Sequence, residues 1–183
     1  MTISANDPSR KSWVTVPENS DFPIQNLPFG IFSKEAISPR AGVALGDQVI
    51  DLSILHEKGF FNDLPFGKEE FTEKVLNGMM KHGKKAFCDL RNKIAEIFDA
   101  NGNHTERKTE IEESLNSQDS VTMHIPVHVG DYTDFYSSIE HATNVGTMFR
   151  DPNNALLPNW KHIPVAYHGR SSSIILSGEE IHR

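Results

Sequence analysis

The sequence predicts a chain that is mainly β with some α, divided into two units at residues 1–118 and 119–183. Three observations carry that reading. Apolar runs at Gly42-Val43-Ala44-Leu45 and Gln48-Val49-Ile50-Asp51-Leu52 flank Gly46-Asp47, and glycine there supplies the positive φ that a two-residue hairpin turn requires. Between Lys84 and Ala100, Phe87, Leu90, Ile94 and Phe98 recur at steps of three and four with Lys and Glu around the rest of the circumference, the stripe of a packing helix. From Asn101 to Ser120 the composition turns to Asn, Glu, Ser, Lys and Thr, with Ile111 and Leu115 as the large apolar pair. That stretch reads as a solvated connector with room for some helix, closing the first unit.

The other elements follow the same logic. Trp13 to Pro17 opens an irregular stretch, and Asp21 to Gly30, rich in Pro and Asn, reads as a loop held by its Phe and Ile side chains under a sheet. Gly30 to Ser33 reads as a strand. Helical spacing is expected from Glu69 to Leu76 as well as from Lys84 to Ala100. Val121 to Val129 alternates like a strand that starts the second unit, and Pro126 confines it to a sheet edge or a bulge. At the end, Ser171 to Ser177 alternates like another strand and turns at Gly178-Glu179, where a return strand is expected.

Composition sets bounds on function. The chain has 183 residues, 37% hydrophobic and 23% charged, enough apolar content for a core. Its net charge of −7 comes with no stripe gathering the 18 Lys and Arg residues, so the footprint of a nucleic-acid binder is missing. No uninterrupted apolar run approaches membrane-spanning length and the N-terminus lacks a signal layout, which predicts a cytoplasmic protein with no membrane partner. A single cysteine, Cys88, excludes an internal disulfide framework and reads as a buried, inert thiol.

Reactive side chains are densest from Gly130 to His141. If Asp131 to Tyr136 is extended, Tyr132, Asp134 and Tyr136 share one face, a carboxylate between two phenols. Ser137 with Glu140 fits a capping box, so a helix should begin near Ser137 or Ser138 and run to about Arg150. His141 then lies in the first turn, where the positive helix end favours an uncharged imidazole, as a general base needs. Plainer roles stay open at this point. Asp134 is equally placed to accept hydrogen bonds in a turn, His141 to pack on the helix, Arg150 to meet the helix dipole, and Tyr167 to end a strand.

The run Gly130-Asp131-Tyr132-Thr133-Asp134-Phe135-Tyr136-Ser137-Ser138 resembles the fumarylacetoacetate hydrolase family. So do His141-Ala142-Thr143-Asn144-Val145-Gly146, Met148-Phe149-Arg150, Asn154-Ala155-Leu156, Pro158-Asn159-Trp160, Pro164-Val165 and Tyr167-His168-Gly169-Arg170. Ser12-Trp13-Val14, Asp21 to Gly30 and the hairpin at Gly42 to Leu52 resemble its N-terminal domain. The resemblance implies a small SH3-like β-barrel followed by the beginning of a mixed β-sandwich roll that forms the catalytic domain. It implies a cytoplasmic homodimer that hydrolyses 4-fumarylacetoacetate, a small diketo acid, to fumarate and acetoacetate in the last step of tyrosine and phenylalanine catabolism. Ca2+ and Mg2+ are the implied cofactors, suited to oxygen ligands.

Residue by residue, the resemblance assigns Asp134 to the metal, His141 to activation of water, and Tyr136, Arg150 and Tyr167 to substrate oxygens. In the family the other metal-binding carboxylates, a glutamate that orients the histidine and a lysine would lie beyond Arg183. The chain is therefore expected to be a piece of the enzyme with an incomplete site. Other expectations are an acylpyruvate hydrolase or oxaloacetate decarboxylase of the same family, and an inactive piece that binds full-length subunits. A zinc protein using His124, His128, His162, His168 and His182 is the weakest, because no cysteine pattern accompanies them.

Overall fold

The computed structural model describes residues 4–181 apart from 164 and 170. Pro164, Arg170, His182 and Arg183, which entered the readings above, lie outside the described residues. The chain forms two compact units, 1–128 and 129–183.

The first unit is built on a five-stranded antiparallel sheet: β1 (Phe29–Lys34), β2 (Ile37–Leu45), β3 (Gln48–Asp51), β4 (Leu115–Ser117) and β5 (Thr122–His124), in the order β4-β3-β2-β1-β5. The expected hairpin is present, with Leu45 opposite Gln48 and Gly46 at φ 61°. A glycine with positive φ at the first central position is the pattern of a type II′ turn, whose twist matches the strands. Asp51 ends β3 and caps helix α1 (Leu52–Glu57), its Oδ1 accepting the N–H groups of Ser53 (2.9 Å) and Ile54 (3.4 Å) and the Ser53 hydroxyl (2.6 Å). That satisfies donors a helix start otherwise leaves orphaned.

Helices α2 (Lys68–Thr72), α3 (Asn77–Met80) and α4 (Gly83–Phe98) follow. The helix expected over Glu69 to Leu76 stops at Thr72, because Glu73 is extended at ψ 150° and the Leu76 N–H donates to Pro126 O (2.8 Å) instead of to its own helix. The α4 stripe behaves as its spacing dictates: Leu90, Ile94 and Phe98 are fully buried and Phe87 packs against the core. Cys88 is buried on the same helix. Trp13 stacks on Phe98 at 5.4 Å, and Ile24 and Leu27 are buried, so the irregular N-terminal stretch is held by its apolar side chains.

The stretch read as a solvated connector folds into this unit. It contains α5 (Lys108–Glu112) and β4, and Ile111 is fully buried while β4 pairs with β3. One apolar pair suffices there because it caps a core that other elements already build. β5 in turn pairs with β1, Phe32 opposite Met123, so the compact division falls ten residues later than 118. Pro126 acts as expected: β5 is an edge strand and ends before it. Beyond it, the Asn77 side chain donates to His128 O (3.0 Å) and accepts from His128 N–H (2.7 Å). Among the described residues no pairing between the edge strands β4 and β5 closes the sheet, so the barrel expected from the resemblance is not found.

The second unit carries a two-stranded antiparallel ribbon, β6 (Thr133–Phe135) with β7 (Ala166–His168), and helix α6 (Ile139–Phe149). The strand expected over Ser171 to Ser177 is replaced by a single 3-10 turn at Ser171–Ser173 and irregular backbone. Its apolar residues Ile174 and Ile175 are 37% and 44% exposed, so no buried face organises a strand there. The expected turn is present, with Gly178 at φ 92°.

Candidate functional site

Four of the five residues singled out on the sequence are joined in neighbouring pairs, and the fifth shares a cavity with one of them. β6 and β7 pair so that Asp134 lies directly opposite Tyr167, and side chains in that relation meet on one face of a ribbon. The Tyr167 hydroxyl donates to Asp134 Oδ2 at 2.6 Å. Holding that proton raises the Tyr167 phenol above its ordinary value, with burial and the Asp134 charge acting in the same direction. The ribbon is extended at both ends, as Gly169 N–H donates to Tyr132 O and Tyr136 N–H to Val165 O, each at 2.8 Å. Gly169 is required here, since a Cβ would lie 2.2 Å from the Tyr132 ring.

Two residues on, Tyr136 meets the helix. Its ring packs edge-on against His141, with centroids 4.9 Å apart and planes at 65°. The helix is capped one residue later than the Ser137 pattern implies: Ser138 is the N-cap and accepts the His141 N–H at 3.2 Å, while its hydroxyl donates to Glu140. The first-turn position expected for His141 holds. Arg150 stands at the other end of α6, as the sequence reading placed it, and its Nη1 donates to Ala155 O at 3.1 Å. That carbonyl lies so close to the helix that a Cβ at Gly146 would be 2.1 Å away. Gly146 thus permits the contact that fixes the loop under Arg150.

Tyr136 and Arg150 line one cavity of about 280 Å³, together with Ala142, Leu156, Trp160 and Val165 among others. The Tyr136 hydroxyl and the Trp160 indole nitrogen are buried there without a hydrogen-bond partner among the described residues. Trp160 carried no role in the sequence reading. A tryptophan after Pro158-Asn159 in a polar loop announces nothing until tertiary burial leaves its N–H unpaired.

The metal expected from the resemblance does not fit these residues on their own. Among the described residues no three His, Cys, Asp or Glu side chains gather to hold an ion, whereas a calcium ion takes six to eight oxygens. Among the described residues the histidines weighed for zinc form no such group either, and His124 is bonded to the Ser33 hydroxyl at 2.7 Å. Among the described residues no helix is long and apolar enough to cross a membrane.

Known proteins match nearly the whole chain. A relative from Rattus norvegicus named fumarylacetoacetase is 48% identical over 176 residues, covering 94% of this chain and 42% of the relative. Relatives of the same name from Homo sapiens (47% identical) and Caenorhabditis elegans (46%) cover the same shares of each chain. The chain thus spans about 42% of the length of the curated relatives it matches. A family model described as fumarylacetoacetase N-terminal matches residues 25–126, more than half of the sequence and nearly all of the first unit's sheet and helices, so the chain belongs to the fumarylacetoacetase family.

Proposed function

We propose that the chain carries part of the site of a hydrolase that splits 4-fumarylacetoacetate, a 1,3-diketo acid, into fumarate and acetoacetate. The observation that supports this most is the grouping of Asp134 with Tyr167 and of Tyr136 with His141 and Arg150 in one unit, in a chain nearly half identical to proteins named for that activity.

The reaction adds water to one carbonyl carbon, and the bond to the carbon between the two carbonyls then breaks with an enolate leaving. His141 is assigned the proton of the attacking water, with the Tyr136 ring fixing the imidazole from its edge. Arg150 suits a terminal carboxylate, since its planar donors match two oxygens and only Nη1 is engaged by Ala155. Tyr136 and Tyr167 are donors for substrate oxygens. Asp134 is a hard oxygen donor, apt to contribute one ligand to Ca2+ or Mg2+ in a site whose other ligands come from outside these 183 residues. In the same reading the first unit corresponds to the SH3-like domain, the second to the opening of the β-sandwich roll, and the complete enzyme is a cytoplasmic homodimer. Among the described residues, twelve of the fifteen large apolar side chains that stand exposed, Met148 (74%) and Phe149 (80%) among them, belong to the second unit, which supports a need for covering surface.

The test joins these 183 residues to the portion of the rat relative that lies beyond its match and follows cleavage of the diketo acid. The fusion is expected to turn over and the 183-residue chain alone to be inactive. His141→Ala in the fusion should lower kcat by about 10²–10⁴ with the fold intact. An inactive fusion, an active 183-residue chain or a His141→Ala fusion of near-normal rate would each overturn the reading.

A further inference from the structure

The cavity of the second unit contains two polar groups for which the described protein offers no partner. Tyr136 Oη and Trp160 Nε1 are both buried and unpaired, and both side chains line the same space of about 280 Å³. Buried donors are nearly always satisfied in folded proteins, by protein, water or ligand, because leaving one unpaired forfeits its hydration with nothing in return. The two groups differ in what they can accept. A phenol both donates and accepts, whereas an indole N–H only donates, so whatever faces Trp160 must present an acceptor oxygen.

A third donor stands on the same wall. Arg150 spends Nη1 on Ala155 O, and among the described residues no carboxylate pairs with its guanidinium. Among the described residues the remaining lining is apolar apart from Asn159 and contains no acidic residue. Three donors, one of them cationic, in an apolar setting favour a small anion rich in oxygen acceptors. The size agrees, since the volume falls at the low end for ligand pockets and suits an acid of a few carbons. The wall is also positioned rather than loose: the absence of a side chain at Gly146 lets Ala155 O approach α6, and that carbonyl holds Arg150.

We propose that Trp160 is a specificity-determining residue, donating its indole N–H to a carboxylate or keto oxygen of the acid held between Tyr136 and Arg150. The inference rests on the diketo-acid reading of the site and adds to it a residue that rejects analogues lacking an acceptor at that position. Removing the acceptor would leave the N–H buried and unpaired, which is the strongest kind of discrimination a polar pocket offers.

The 183-residue chain, labelled with nitrogen-15 in its indoles, is titrated with fumarate and with acetoacetate while binding is followed by calorimetry. Trp13 provides the internal reference, because its Nε1 already donates to Ile97 O at 3.0 Å. The Trp160 indole resonance is expected to move saturably while that of Trp13 stays. Trp160→Phe, which keeps an aromatic side chain but replaces the indole by a smaller phenyl without a donor, should weaken binding about tenfold, the loss expected for one hydrogen bond to a charged group. Binding that leaves the Trp160 resonance still and is unchanged in Trp160→Phe overturns the role of Trp160 and leaves the hydrolase reading intact. Absence of saturable binding by either acid overturns the assignment of the cavity to an acid, and the turnover of the fusion judges the hydrolase reading separately. If Trp160→Phe fails to fold, the resonance in the unaltered chain decides.

Discussion

Tyr167 and Asp134 are separated by 33 positions in sequence and joined by one proton at 2.6 Å. Because the phenol is raised by that link, Tyr167 binds its proton more tightly in the folded chain than in the unfolded one. Its contribution to stability is therefore complete below the ordinary phenol value of about 10 and is lost as pH rises through the higher folded value. Asp134→Asn removes the charged acceptor, so the Tyr167 phenol should titrate at lower pH than in the unaltered chain, as read by ultraviolet difference titration of the three tyrosines. An unchanged titration would contradict the assigned link. At this scale the sequence was legible where chemistry is local. Ser137 with Glu140 announces a helix start that the fold sets one residue later, at Ser138, and the period of two gathers Asp134 and Tyr136, both half-buried, on one face. The Asp134–Tyr167 bond and the unpaired Trp160 were not legible, since each depends on strands or loops brought together from a distance.

The elements divide in the same way. Turn chemistry predicted the β2–β3 hairpin and periodicity predicted α4, because each is decided within its own residues. The helix expected over Glu69 to Leu76 was decided elsewhere, by Pro126 O taking the Leu76 N–H. The polar stretch from Asn101 to Ser120 misled for a related reason: its apolar pair is too sparse to define an element, yet Ile111 completes the core of the sheet and β4 extends it. Asp51 links both kinds of information, ending a strand and starting a helix from one buried carboxylate. Its Oδ2 lies 3.7 Å from Arg40 Nη1, so the cap also faces a cation. Asp51→Ala should destabilise the first unit by about 1–3 kcal/mol, from the lost cap and the donors left unpaired. Asp51→Asn, which keeps an acceptor, should recover most of that in urea unfolding, and equal losses for the two variants would refute the capping account.

For the whole molecule the question is where the first unit ends. β5 covers the edge of β1, and the chain just past it satisfies Leu76 and Asn77. Residues 1–128 should therefore unfold in urea as one cooperative transition, while residues 1–118 should unfold at clearly lower urea or aggregate through the uncovered strand edge. Equal midpoints would contradict the division at His128. Sequence alone placed that division at 118 because composition marks solvation, whereas the fold is set by which strand edge needs a partner.

The ribbon formed by β6 and β7 holds only three residue pairs, and an isolated pair of strands is marginal in water. Any opening that separates the two backbones therefore also parts the Tyr167 hydroxyl from Asp134. Hydrogen-isotope exchange at the amides of this ribbon would then report how often the carboxylate becomes available to another ligand.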